Sequence, residues 1–349
     1  GGLFCDGELT VERQAAATLS RVDCAAAAMR IVNLDSFTTD QGDVHGELWA
    51  PLANLGTLET YPRTSPEELH ARCQGARAVI TNKVPLTAAF FTQVPDLRYV
   101  GVCATGTNVV DLAAARAHGV AVTNVPGYGS ASVAQHTLAL ILHFASGVAA
   151  HAAAVKAGRW AAQPDFCFFV QPLVELAGKT LVVIGQGAIG GTVARMARGL
   201  GMHVVAAAVP GRDVPDRVPL AEALAAADVV TLHCPLSPAT TRMVDAAFLA
   251  QLKPTAILVN TSRGGLIDEP ALLAALRAGH LAGVALDVLT QEPPAADHPL
   301  LDPNTAFSSR VVVTPHIAWG SSDARLRLAH EVAANLAAFQ RGERRNRVD

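Results

Sequence analysis

Six cysteines, at 5, 24, 73, 103, 167 and 234, are scattered with no C-x-x-C pair. That spacing suggests neither a zinc site nor a disulfide framework, so no metal site is expected and a reducing cytoplasm is the expected compartment. A surplus of charge is also missing: 27 Lys and Arg face 30 Asp and Glu, for a formal net charge of -3. Such a balance gives no electrostatic footprint for nucleic acid or an anionic membrane. Arg341, Arg344, Arg345 and Arg347 cluster near the end of the chain and read as a solvated tail. Every long apolar run is broken by His, Gln or charge before the roughly 20 residues of a bilayer span. Residues 1–28 lack the basic flank and long apolar core of a signal peptide. Met29 leads directly into the strand-like Arg30-Ile31-Val32-Asn33-Leu34. Residues 1–28 therefore read as a non-native or upstream-start extension, or a poorly ordered one, in which 10–19 could form a short helix.

What is present is a chain of 349 residues, half of them apolar, enough for about two domains with buried cores. Its organising stretch is 181–190. The apolar run Leu181-Val182-Val183-Ile184 enters Gly185-Gln186-Gly187-Ala188-Ile189-Gly190, spaced G-x-G-x-x-G, and apolar residues at helical spacing follow over 193–200. In a strand-turn-helix unit of this kind Gly185 permits the tight turn and Gly187 lets a pyrophosphate approach the backbone. Gly190 lets helix and strand pack closely, and the helix N-terminus offers N–H groups and a positive dipole end to the phosphates.

Strand and helix patterns alternate on both sides of this unit, as in doubly wound parallel sheets. Before it, strands are expected at 31–34, 57–61, 78–81, 99–102 and 121–124, with helices near 47–55, 66–73, 88–93 and 109–118. After it, strands are expected at 203–209, 229–233, 256–260, 283–287 and 311–314. A long apolar helix over 132–147 and an aromatic loop at 164–169 lie between the two series. A terminal helix at 323–341 is too detached to complete the second sheet and would return to the first. The expected division is a substrate domain from 29–127 and 320–345, and a dinucleotide-binding domain from 128–319. Within the latter, 130–175 carries more apolar surface than a monomer would leave exposed, which predicts a homodimer.

Ligands of open α/β sheets bind beyond the carboxyl ends of the strands, where three polar groups gather. Asn260-Thr261-Ser262-Arg263-Gly264-Gly265 sets an arginine among small residues, where its planar fork would clamp a carboxylate. Asp287 ends a strand, with Glu292 following before a double proline. Thr314-Pro315-His316 places a histidine after a third strand. Each has a bland alternative as a turn arginine, a loop charge or a structural histidine; the three together favour chemistry.

These motifs, with Ala104-Thr105-Gly106-Thr107-Asn108 and His233-Cys234-Pro235-Leu236, stand in the order found in D-isomer-specific 2-hydroxyacid dehydrogenases, and the chain resembles that family from Met29 to about Gln340. The segments at 81–86, at Val133-Ala134-Gln135-His136-Thr137, and at 156–167 are most similar to its glycerate dehydrogenase, or hydroxypyruvate reductase, subgroup. The resemblance implies a Rossmann dinucleotide-binding domain inserted in a flavodoxin-like substrate domain. It also implies catalytic roles for Arg263, Glu292 and His316. Cofactor contacts would come from Gly185 to Gly190, Ala208, Arg212, His233, Cys234, Pro235, Thr261, Ser262, Asp287 and Ala318. Lys83, Val84, Ala104, Thr105 and Gly106 would bind the substrate, closing over its carboxylate from the other domain.

The residue types agree with this chemistry. Reducing a 2-oxo acid needs a hydride donor, a cation for the carboxylate and carbonyl, and an acid for the developing alkoxide. Nicotinamide, Arg263 and His316 would supply them, with Glu292 favouring the charged imidazole. One departure concerns the cofactor. NAD-specific members carry an acid at the end of the strand after the glycine helix, and here Ala208 stands there. Arg212 would then meet a 2'-phosphate, with Asp213 as the alternative ribose partner. NAD(H) and NADP(H) both stay open, with a slight lean to NADP(H). Two other readings compete: a dinucleotide-sensing corepressor of the same fold, and a formate dehydrogenase, which would carry glutamine where Glu292 stands.

Overall fold

The computed structural model describes residues 29–41 and 47–349; the short helix expected at 10–19 lies outside them. Two compact units divide the chain, one formed by the residues before Gly127 with Leu326–Asp349, the other by Gly127–Arg325.

In the first unit, strands β1 (Arg30–Asn33), β2 (Thr57–Thr60), β3 (Ala78–Thr81), β4 (Tyr99–Val102) and β5 (Ala121–Thr123) form a parallel sheet in the order β2-β1-β3-β4-β5. Every residue of β3, β4 and β5 is buried, as expected for strands covered on both faces. The helices are α1 (Phe37–Asp40), α2 (Ala50–Ala53), α3 (Pro66–Cys73), α4 (Ala88–Gln93) and α5 (Leu112–Ala117). A capping box of Ser65 and Glu68, with Pro66 in the first turn, starts α3. The helix expected over 109–118 starts later than its periodicity suggests. Asp111 caps it by accepting the Ala114 N–H, while Val110 is drawn into a bridge with Leu86. The expected helix at 47–55 divides into a 3-10 turn, Glu47–Trp49, and α2, with Pro51 in its first turn.

The second unit holds α6 (Ser130–Ser146), α7 (Val148–Lys156), β6 (Thr180–Ile184), α8 (Ala188–Gly199), β7 (His203–Ala207), α9 (Leu220–Ala226) and β8 (Val229–Leu232). It continues through α10 (Ala246–Ala250), β9 (Ile257–Asn260), α11 (Glu269–Arg277), β10 (Gly283–Leu286) and β11 (Val311–Val313). Its six strands are all parallel in the order β11-β10-β9-β8-β6-β7. The chain steps outward from β6 to β7 and then back across to β8. That reversal opens a crevice beyond the carboxyl ends of β6 and β8.

Helix α6 packs Ala134, Leu140 and Ile141 into a core with Leu181, Val183 and Val193. Gly147, at φ +56°, ends it, and α7 leaves at a bend of 58°. Among the described residues no single helix is long and apolar enough to cross a membrane. None of the residues of α7 is buried, and beyond it Trp160, Phe166 and Phe169 are 52%, 87% and 63% exposed.

Helix α12 (Ser322–Gln340) starts in the second unit and continues into the first. There Phe339 stacks 5.1 Å from Tyr99, and the buried Asn335 donates to Asn124 O at 2.9 Å. The segment after α12 adds a bridge between Arg347 and Thr123.

Candidate active site

The glycine turn is shaped by contacts that a side chain would prevent. Gly185 has φ +96°, and a Cβ there would lie 2.4 Å from Cys234 N. The turn can therefore press against the backbone that follows β8, where His233 N donates to Ile184 O at 2.7 Å. At Gly190 a Cβ would lie 2.1 Å from Gly185 O, so glycine lets α8 seat on the turn. Gly187 differs: it precedes α8 without a side-chain cap, and a Cβ there would meet nothing within 4 Å. With Gln186, Ala188 and Ile189 it leaves an open approach to the first N–H groups of a 12-residue helix, which carry the positive end of its dipole. These residues fit a dinucleotide pyrophosphate.

Beyond β7, Ala208 N donates to Val218 O at 2.9 Å, and Arg212 N to Val209 O at 3.1 Å across the turn at Gly211. Arg212 is exposed. Burial pushes the Cys234 thiol up to about 11, against smaller opposing effects of a backbone hydrogen bond and of the Arg212 charge. His233 pairs with Thr231 Oγ1 at 2.8 Å, and burial pushes its imidazole down to about 3, which keeps the ring neutral. Pro235 O accepts from Thr240 Oγ1 at 2.8 Å, and Cys234 O accepts from Ser262 Oγ at 2.9 Å. The second of these bonds joins the loop after β8 to the loop after β9.

Arg263 stands in a turn closed by Asn260, which accepts from Ser262 N at 3.0 Å and donates to Arg263 O at 2.9 Å. The guanidinium is exposed, with Nη1 2.8 Å from Ser262 O. At Gly264 a Cβ would lie 2.0 Å from the carbonyl of Leu289. Only glycine allows this approach, and through it the Arg263 turn lies against the loop that carries Glu292. Leu289 N donates to Glu292 Oε1 at 3.0 Å, and Glu292 Oε2 lies 2.6 Å from His316 Nδ1. With Nδ1 on a carboxylate, Nε2 of the ring is left for proton transfer.

His316 itself has φ +54°, a left-handed conformation that costs a residue other than glycine roughly 1–3 kcal/mol. The loop is held by Asp287, which is 1% exposed. His316 N donates to Asp287 O at 2.8 Å. The Asp287 carboxylate accepts from Thr314 Oγ1 at 2.5 Å, Ile317 N at 3.0 Å and Ala318 N at 2.8 Å. Both its oxygens therefore serve the loop that carries His316.

The remaining candidates belong to the first unit. Lys83 and Val84 follow β3 in a turn whose N–H groups converge on Asp35, with Asn82 N at 2.8 Å, Lys83 N at 2.5 Å and Val84 N at 3.2 Å from its oxygens. Burial raises the Asp35 carboxyl above its ordinary value despite these donors. Ala104, Thr105 and Gly106 follow the neighbouring β4. Ala104 O accepts from Val125 N at 3.0 Å, and Thr105 Oγ1 donates to Val125 O at 3.0 Å. Asp35, Ser132, His136, Thr137 and Thr314 carry no role that the sequence alone suggests. The available signals were an acid directly after a strand and the Val133-Ala134-Gln135-His136-Thr137 segment, which carried a likeness without a role.

A six-stranded parallel sheet with a glycine turn at its crossover, and a histidine-carboxylate pair beside an arginine turn, define a dinucleotide-binding oxidoreductase. Residues 138–318 match the family model described as D-isomer specific 2-hydroxyacid dehydrogenase, NAD binding domain. The chain is 42% identical over 285 residues to a glycerate dehydrogenase of Methylorubrum extorquens, covering 82% of this chain and 89% of that protein. It is 39% identical over 329 residues to a hydroxypyruvate reductase of Blautia hydrogenotrophica, covering 92% of this chain and 100% of that protein. Among solved structures, the TT0316 protein of Thermus thermophilus superposes with a TM-score of 0.76 at 34% identity, covering 92% of this chain and 100% of that one. The chain belongs to the D-isomer-specific 2-hydroxyacid dehydrogenases. It is an NAD-binding oxidoreductase that interconverts a 2-oxo acid and its D-2-hydroxy acid, with the Rossmann and flavodoxin-like sheets that the resemblance implied.

Proposed function

We propose that the protein reduces hydroxypyruvate to D-glycerate and glyoxylate to glycolate, reversibly, with Arg263, Glu292 and His316 as its catalytic residues. The reading is carried by the 2.6 Å pair of His316 Nδ1 and Glu292 Oε2, beside the turn that presents Arg263. The names of the two similar enzymes support the substrate class. Arg263 holds the substrate carboxylate and polarises the carbonyl as charge develops on its oxygen. Bound nicotinamide supplies the hydride. His316 gives the proton on Nε2 to the carbonyl oxygen, so one hydride and one proton complete the alcohol. Glu292 stabilises the imidazolium that precedes this transfer. Lys83, Val84, Ala104, Thr105 and Gly106 are proposed substrate-binding residues.

The same reading assigns the cofactor to the glycine turn and to Ala208, Arg212, His233, Cys234, Pro235, Thr261, Ser262, Asp287 and Ala318. NADPH is accepted and slightly favoured over NADH. Ala208 removes the acid that would repel a 2'-phosphate, and exposed Arg212 adds attraction. The protein acts as a homodimer in the reducing cytoplasm, a compartment that suits six cysteines scattered with no C-x-x-C pair.

Steady-state kinetics with both reduced cofactors on a panel of 2-oxo acids test this function. Hydroxypyruvate and glyoxylate should be the best substrates. Ala208→Asp should shift preference toward NADH, and Arg212→Ala should raise KM for NADPH only. A hundredfold preference for NADH that neither substitution alters would overturn the cofactor assignment.

A further inference from the structure

Three side chains of α6 reach the loops beyond the strand ends. Ser132 Oγ donates to Ala318 O at 2.7 Å. His136, one turn further along the same face, places Nε2 3.1 Å from Thr314 Oγ1 and 3.5 Å from Asp287 Oδ1. The buried hydroxyl of Thr137 lies 3.0 Å from Thr261 Oγ1, two residues before Arg263. One helix thus contacts both the turn of Arg263 and the loop of His316.

Counting protons orients the His136 contact. Thr314 has a single hydroxyl proton, and its 2.5 Å approach to Asp287 Oδ1 commits that proton to the carboxylate. Nε2 of His136 must then carry hydrogen and donate to Thr314 Oγ1. The chain of donors runs from His136 to Thr314 to Asp287, and Asp287 receives Ile317 N and Ala318 N from the other side. His316, with its left-handed backbone, is the residue this arrangement holds.

We propose that His136 is a positioning residue for the reaction: its Nε2–H, acting through Thr314 and Asp287, holds the backbone of the 314–318 loop so that His316 presents its imidazole to the substrate. The proposal rests on the catalytic role of His316 given above. His136 is assigned no contact with substrate or cofactor; its removal acts through Thr314, Asp287 and the 314–318 loop, altering the geometry of proton transfer and disturbing the proposed cofactor contacts of Asp287 and Ala318 only secondarily.

Replacing His136 by leucine keeps a comparable volume and deletes the donor. His136→Leu should lower kcat for hydroxypyruvate reduction about tenfold, the scale of one lost hydrogen bond, with a smaller rise in KM for the cofactor, since Asp287 and Ala318 share the network. His136→Gln, whose amide N–H can reach the same oxygen, should recover kcat to within about threefold. In Thr314→Val, adding His136→Leu should cost nothing further, because the relay is already cut. Wild-type kcat in His136→Leu, or a glutamine variant no better than the leucine variant, overturns the proposal.

An NMR measurement on the same proteins separates this idea from the functional reading. If the wild type reduces no 2-oxo acid, the functional reading fails. The positioning claim then stands or falls on ¹⁵N spectra: His136 should be protonated at Nε2, and the Ile317 and Ala318 amide resonances should shift in His136→Leu. An unprotonated Nε2, or unmoved amides, refutes it.

Discussion

At Gly190 an added methyl group would collide with Gly185 O, whereas at Gly187 it would project into open space. Gly190→Ala should therefore destabilise the fold by about 1–3 kcal/mol, the usual cost of overpacking, and lower the thermal midpoint. Gly187→Ala should leave that midpoint unchanged and raise KM for NADH, because the methyl takes up the approach of the pyrophosphate; equal NADH affinity in both proteins would count against the proposed cofactor site. Arg263→Ala should reduce kcat/KM by about 10²–10³, the loss expected when a preorganised charge on a developing oxyanion is removed. Near-wild-type turnover in that variant would remove Arg263 from the chemistry. Arg263, Glu292 and His316 could be proposed from the sequence because each sits in a short motif beside a strand end. Asp35 and His136 could not, since their partners lie 47 and 178 residues away. No local pattern reports which backbone a carboxylate or imidazole will meet across that distance.

Among the elements, the strands of both sheets fall where apolar runs predict them, within a residue or two at the ends. Helix starts were less legible: Asp111 and Pro51 cut two expected helices short, because capping and the missing proline N–H outweigh periodicity at the boundary. The outer pair β1 and β2 is joined by Arg30, whose Nε and Nη2 donate to Glu59 at 2.7 and 2.8 Å. Hydrogen bonding from Arg30 holds the Glu59 carboxyl below its ordinary value of 4.5. A depressed carboxylate stabilises the fold fully above its unfolded pKa and loses that contribution as pH falls through the folded value. With the Glu59 side chain 37% exposed, solvent screening limits the pair to under about 1 kcal/mol. Urea midpoints for Glu59→Gln should thus fall slightly below wild type at pH 7, and the difference should shrink as pH falls below 4.5. A difference that did not shrink with acidification would exclude the ion pair as its source.

On the scale of the whole molecule, Trp160, Phe166, Phe169, Leu173 and Val174 stay exposed beyond a helix that buries none of its residues. Large apolar side chains exposed along one segment suit an interface, and a closed symmetric dimer is the simplest way to cover them. Light scattering at micromolar concentration should give twice the 36.2 kDa of one chain, and Phe166→Asp with Phe169→Asp should move the mass toward the monomer. A monomer mass for the wild type would refute the dimer. The sequence alone determined the class of fold, the glycine turn and the three catalytic candidates, because strand periodicity, turn glycines and motif order depend on residues close along the chain. Only the tertiary structure decided that Gly264 brings the arginine turn against the Glu292 loop, that Asp287 spends both oxygens on the His316 loop, and that α6 reaches the loops after β9 and β11. Those contacts join residues distant in sequence, and packing of the sheet and its helices, not local propensity, selects them.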